Sequence, residues 1–140
     1  MNTLPIDMQE YRTDIKPSLK DYLEYKVSDD FFPLVLRVRM EWNDTNYQKM
    51  IGLINRVLEE YKKEYFYPLD AILFFTDEID TMLSIISHPL FGKTKEDDYK
   101  LLVAKRKKEL QDFQRDFFVG NFFEYDFLQH LNKKHIGNKA

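Results

Sequence analysis

The stretch from Pro68 to Pro89 is the longest apolar segment of the chain, and any fold this sequence adopts must bury it. Ile72, Phe75, Ile79, Met82 and Ile86 recur at steps of three and four, and Phe74 and Leu83 widen the stripe. That spacing predicts an amphipathic helix. Pro68 and Asp70 suit its first turn, where a missing N–H costs nothing and a carboxylate complements the positive helix end. Pro89 ends it near His88, because proline disfavours a helical residue before it. So wide an apolar face needs partners on two sides, which places this helix at the centre of a bundle. Asp77, Glu78 and Asp80 interrupt it well short of the ~20 apolar residues that a membrane span requires.

The flanking sequence supplies the partners. Tyr47, Met50, Ile51, Ile54, Leu58, Tyr61 and Tyr65 make a second stripe, capped by Asp44 or Thr45 and ending near Phe66 before Pro68. The short connection predicts antiparallel packing against the central helix. Upstream, Ser18 and Asp21 resemble a capping box ahead of Leu19, Tyr22, Leu23 and Val27. Downstream of the Gly92–Lys93 loop, Thr94 and Asp97 resemble another, opening a long helix to about Phe118. Tyr99, Leu102, Val103, Leu110, Phe113 and Phe117 form its inner face, with Arg106 interrupting. Gly120 fits a left-handed helix end, and Asn121 can cap a last helix containing Phe122, Phe123, Tyr125, Phe127, Leu128 and Leu131.

One segment reads two ways. Leu36, Val38, Met40 and Trp42 alternate with Arg37, Arg39 and Glu41 as a strand would. Phe31, Val35, Val38 and Trp42 also fall at helical spacing, with Pro33 acceptable in a first turn. A strand here would need a partner for its backbone groups. The best candidates, Leu4–Met8 and Tyr65–Leu69, are short and broken by proline, so helix is preferred.

These elements predict a mainly α fold. The expected architecture is a single-domain helical bundle of four to six helices, with at most one short strand near residues 34–42. Residues 1–17 read as an extended N-terminal arm, 18–134 as the helical domain and 135–140 as a flexible tail. A length of 140 residues fits one domain. Only 4 glycines are present, which disfavours hairpin-rich β folds and phosphate-cradling loops.

Composition removes several chemistries. With no cysteine, disulfides, thiolate metal sites and cysteine nucleophiles are excluded. A net charge of −3 gives no global case for nucleic-acid binding. Residues 1–92 hold 10 basic and 16 acidic side chains, and residues 93–140 hold 11 and 8, so the charge is uneven along the chain. The first ten residues lack the blocks of a signal peptide, which points to the cytoplasm.

Four groups of residues remain as candidates. Asp77, Glu78 and Asp80 cluster on the central helix, but no Glu-x-x-His pattern joins them, and a solvated helix face is the expected reading. His88, His130 and His135 lack ligand spacing; His88, near a helix end, would favour that end when protonated. No serine lies in a Gly-x-Ser-x-Gly elbow. No metal or other cofactor and no catalytic residue is therefore expected. Lys105-Arg106-Lys107-Lys108, with Lys100 nearby, could contact nucleic acid, although four consecutive helical residues point in different directions. The aromatic run Phe117, Phe118, Phe122, Phe123, Tyr125 and Phe127 is expected mostly as core packing, but a tight turn at Gly120 would not bury all six on one side, and the remainder would offer a partner-facing patch, since aromatics dominate contact hot spots.

The sequence thus leads, by elimination, to a small intracellular protein-binding protein and not an enzyme. It would occlude a macromolecular partner, as an inhibitor, a toxin-neutralising immunity protein or an accessory regulator does. Phe118, Phe122, Phe123 and Tyr125, with acidic Asp77, Glu78 and Asp80, are the candidate contacts. The alternative is a nucleic-acid-associated regulator using the helix 93–118 through Lys100, Lys105, Lys107 and Lys108.

Overall fold

The computed structural model describes residues 15–64 and 66–121. All regular elements among them are helical, and no strand forms, so the fold is mainly α. The chain divides into two compact units, Met1–Phe74 and Phe75–Ala140. In the first unit lie α1 (Pro17–Lys26), α2 (Phe32–Arg39), α3 (Asp44–Tyr61) and α4 (Leu69–Leu73). A π-helical turn, Phe74–Glu78, begins at its last residue. The second unit holds α5 (Ile79–Ile86) and α6 (Asp97–Asn121).

In the first unit α1 and α3 run antiparallel, because their contacts pair opposite ends. Ser18 N–H donates to Glu60 Oε1 at 2.9 Å, Arg56 Nη2 to Asp21 Oδ2 at 2.9 Å, and Tyr25 OH to Asn46 Oδ1 at 2.8 Å. Tyr22, Met50, Ile54 and Val57 are fully buried in the same core. Val57 was hidden from the sequence stripe, which named Leu58 instead; Leu58 is half-buried. Ser18 is not the cap that its sequence setting suggests. Pro17 opens α1 one residue earlier, with Lys16 at the cap position and no side-chain cap bond. The donor that a local cap would satisfy is met by Glu60 of α3, and Asp21 is drawn to Arg56. The cap of α3 is also displaced: Asn43 Oδ1 accepts the N–H of Asn46 at 3.0 Å, and Asp44 is already helical.

The ambiguous segment is helical over Phe32–Arg39, while Met40, Glu41 and Trp42 follow outside the helix. Phe32, Pro33 and Leu36 point inward from α2, and Phe32 meets Trp42 and Tyr47 edge to face at ring-centroid distances of 4.9 and 6.0 Å. Met40 ends α2 in the left-handed region at φ 55°, with its N–H bonded to Leu36 O at 2.8 Å. The expected helix over 68–89 forms in consecutive pieces. α4 packs on α3 in the first unit, and Lys26 Nζ reaches Asp70 at 3.4 Å.

In the second unit α5 packs along α6. Phe75 stacks on Phe117 at 3.9 Å with the rings 2° from parallel, and Phe113 closes on Phe75 edge-on at 4.9 Å. Leu110, Ile79 and Met82 are fully buried. Gln114 explains the π turn. Its amide nitrogen donates one hydrogen to Phe75 O at 2.7 Å and the other to Asp80 Oδ1 at 2.8 Å. A π turn interrupts the regular i→i−4 ladder and leaves backbone groups to be satisfied elsewhere. The α6 side chain fills that need.

Two helix ends differ from the sequence reading. α6 begins at Asp97, so Thr94 stands outside it. Gly120 is helical and no left-handed terminus forms there, because α6 runs on through Asn121, whose amide donates to Phe117 O at 2.8 Å. The left-handed glycine is Gly92 (φ 67°) in the α5–α6 loop. The expected N-terminal arm up to residue 14, Tyr65, the expected last helix from Phe122 and the tail lie outside the described residues.

Candidate functional site

The sequence candidates are scattered. Asp77 is exposed at the end of the π turn, Glu78 is half-buried, and Asp80 is held by Gln114. Phe118 is half-buried and meets buried Phe117 edge-on at 5.6 Å, so it extends the core of the second unit. Phe122, Phe123 and Tyr125 lie outside the described residues. His88 lies just beyond the end of α5 and is exposed. Its Nδ1 accepts the N–H of Leu90 at 3.1 Å. Among the described residues no three His, Asp or Glu side chains stand close enough to hold a metal ion.

The basic run of α6 is taken into a mixed-charge surface. Arg106 binds both oxygens of Glu109 at 2.9 and 3.0 Å, and Lys108 reaches Asp112 at 3.1 Å. Arg115 pairs with Asp112 and Asp116, each at 3.2 Å. At about 100° per residue, Lys100 and Lys107 share one line, while Lys105 and Lys108 lie well around the helix from it. The four lysines do not form one cationic stripe.

The feature that sequence reasoning missed is the outer face of α2. Leu34 and Val38, one turn apart, are 45% and 72% exposed, and Met40 at the helix end is 45% exposed. Val35 beside them is half-buried, and the exposed Arg37 and Arg39 border this apolar ridge on its two sides. The other exposed large apolar side chains, Val27, Phe66, Leu69, Leu90 and Leu101, come from separate elements.

The ridge stands on a fixed base. Tyr25 OH accepts the N–H of Phe32 at 3.0 Å while donating to Asn46. Asn46 Nδ2 donates in turn to Asp30 O at 2.7 Å. The first turn of α2, the preceding loop and the first turn of α3 thereby share one hydrogen-bonded knot. Burial pushes the Tyr25 phenol up to about 12, against the lowering effect of the Phe32 N–H, and Asp30 adds to the rise. Lys49 lies over the Tyr25 ring at 5.4 Å, a cation–π contact that closes the outer side. At the other end of α3, Ser18, which offers both a hydroxyl and a backbone N–H, holds the Glu60 carboxyl below its ordinary range. Of the two donors, the backbone N–H has hydrogen-bond geometry.

Met40 adds an observation of a different kind. A non-glycine residue in the left-handed region costs about 1–2 kcal/mol, and glycine is the usual occupant of such a helix end. Among the described residues the other left-handed position, Gly92, is a glycine, whereas this one carries a large, half-exposed apolar side chain. Strained positions cluster where a side chain is needed for function.

No protein-family model matches the chain, and no curated protein and no solved structure matches it either.

Proposed function

We propose that this chain is a small protein-binding protein that works by covering a macromolecular partner, in the manner of an inhibitor, an immunity protein or an accessory regulator, within the cytoplasm. The observation that supports this reading is the outer face of α2. Leu34, Val38 and Met40 present apolar surface to solvent from a helix whose inner face is locked by Phe32, Pro33 and Leu36. Covering such side chains yields roughly 25 cal/mol per Å² of apolar area removed from water. A helix already fixed in place loses little conformational freedom on binding, so more of that gain appears as affinity. Binding of this kind needs no catalytic group. No helix among the described residues is long and apolar enough to cross a membrane.

Affinity capture by the tagged full chain from its native cells, with nuclease treatment, tests the reading. One stoichiometric protein that survives nuclease and is lost with Val38→Asp is the expected result. Retention of that protein by Val38→Asp would remove α2 from the account. Recovery of nucleic acid, with all protein lost after nuclease, would favour a nucleic-acid regulator instead.

A further inference from the structure

The described arginines divide into two sets. Arg56, Arg106 and Arg115 each hold a carboxylate, at 2.9 Å to Asp21, 2.9 Å to Glu109 and 3.2 Å to Asp116. Arg37 and Arg39 make no ion pair among the described residues, and they are the two that border the α2 ridge. Among the described residues they stay unpaired, although acidic residues outnumber basic ones in the chain, 24 to 21. Their place in the last turn complements the negative helix end. That accounts for positive charge there, but not for the exposed Leu34 and Val38 lying between them.

We propose that the ridge receives an acidic amphipathic helix of the partner protein, with Arg37 and Arg39 pairing with carboxylates on either side of the partner's apolar stripe. The proposal rests on the protein-binding reading above and specifies its chemistry. Leu34 and Val38 form an i,i+4 ridge, the unit that fits the groove of a second helix. Arginine suits the border: its stem covers apolar surface and its planar fork matches a carboxylate with two parallel bonds. Met40 adds a further exposed apolar side chain at the end of the same helix, in a left-handed backbone conformation. A membrane fits less well, because two cations fall short of the clusters of about 4–8 that hold a segment on anionic lipid. Nucleic-acid phosphates would leave the apolar ridge uncovered.

The test uses the full chain and two synthetic amphipathic peptides with the same leucine stripe, one flanked by glutamate and one by lysine. Fluorescence anisotropy should give saturable binding of the glutamate peptide and binding of the lysine peptide weaker by about tenfold or more. Arg37→Gln with Arg39→Gln should erase that difference, and Arg37→Glu with Arg39→Glu should reverse it. Val38→Asp should weaken both peptides. Circular dichroism of each variant confirms that α2 remains folded. Equal binding of the two peptides, failure of the glutamate peptide to bind, or indifference to the arginine substitutions would overturn the acidic-helix proposal. If Val38→Asp still releases the captured cellular protein, protein binding through α2 survives that failure; if it does not, both readings fall. Binding to phosphatidylserine vesicles that depends on Arg37 and Arg39, without peptide binding, would overturn the proposal in favour of a lipid surface.

Discussion

Replacing Met40 by alanine and, separately, by glycine isolates the backbone strain at the end of α2. Both substitutions remove the same half-exposed side chain, so the lost packing largely cancels between them. Only glycine relieves the left-handed backbone at φ 55°. That relief is worth about 1–2 kcal/mol, and the greater freedom of glycine in the unfolded chain returns about 0.5–1 kcal/mol of it. The glycine variant should therefore be more stable than the alanine variant by about 0.5–1 kcal/mol. Urea titration reads this as a higher midpoint at equal slope. In heat, each kcal/mol corresponds to about 2–4 °C in a chain of this size. At Val38, inside α2, the order should invert, with alanine ahead of glycine by about 1 kcal/mol. Equal stability of the two Met40 variants, or an alanine advantage, would refute the reasoning. Both variants should also weaken partner capture, so the more stable variant would still bind less well than the native chain.

Gln114→Leu removes the donor shared by Phe75 O and Asp80, and should cost about 1–3 kcal/mol in chemical denaturation. Gln114→Glu should cost more, since it sets a carboxylate against both a carbonyl and Asp80. Gly92→Ala places a Cβ 3.1 Å from Tyr99 Cε1 at φ 67°, and should lower stability by about 1–2 kcal/mol in the same assay. Tyr25 gives a pH dependence. Its folded value of about 12 lies above the unfolded phenol, near 10, so its contribution is complete below about pH 10. It is lost as pH rises through the folded value. Tyr25→Phe should flatten stability between about pH 10 and 12 relative to the native chain, read by denaturation at each pH.

The sequence patterns that survived are those set by local spacing. The stripe of Tyr47, Met50, Ile54 and Tyr61 forms the buried face of α3, and Phe75, Ile79, Met82 and Ile86 are buried as their spacing predicts. The misread features depend on residues far away in the chain. Ser18 already lies inside the helix that Pro17 opens and its N–H goes to Glu60, 42 residues away, while Phe75 O is met by Gln114, 39 residues beyond it. Tyr25 as a hub was invisible for the same reason: its partners Phe32 and Asn46 are joined only in the folded chain. The ambiguity over residues 29–42 has a different origin. Leu36 and Trp42 face the core while Val38 and Met40 face solvent, so apolar residues occupy two sides of one short segment. On paper that resembles the alternation of a strand. In the folded chain Phe32–Arg39 is a helix with apolar residues on its outer face as well as its inner one, and Met40 and Trp42 follow it. The conflict between two periods was the one sequence signal that marked the proposed binding surface.

Hydrogen–deuterium exchange of the full chain, alone and with the captured partner, tests the central claim most directly. Exchange should slow in α2, over Phe32–Arg39 and Met40, where exposed side chains would become covered. Slowing confined to α6 or to the Asp77–Asp80 turn, with α2 unchanged, would contradict it.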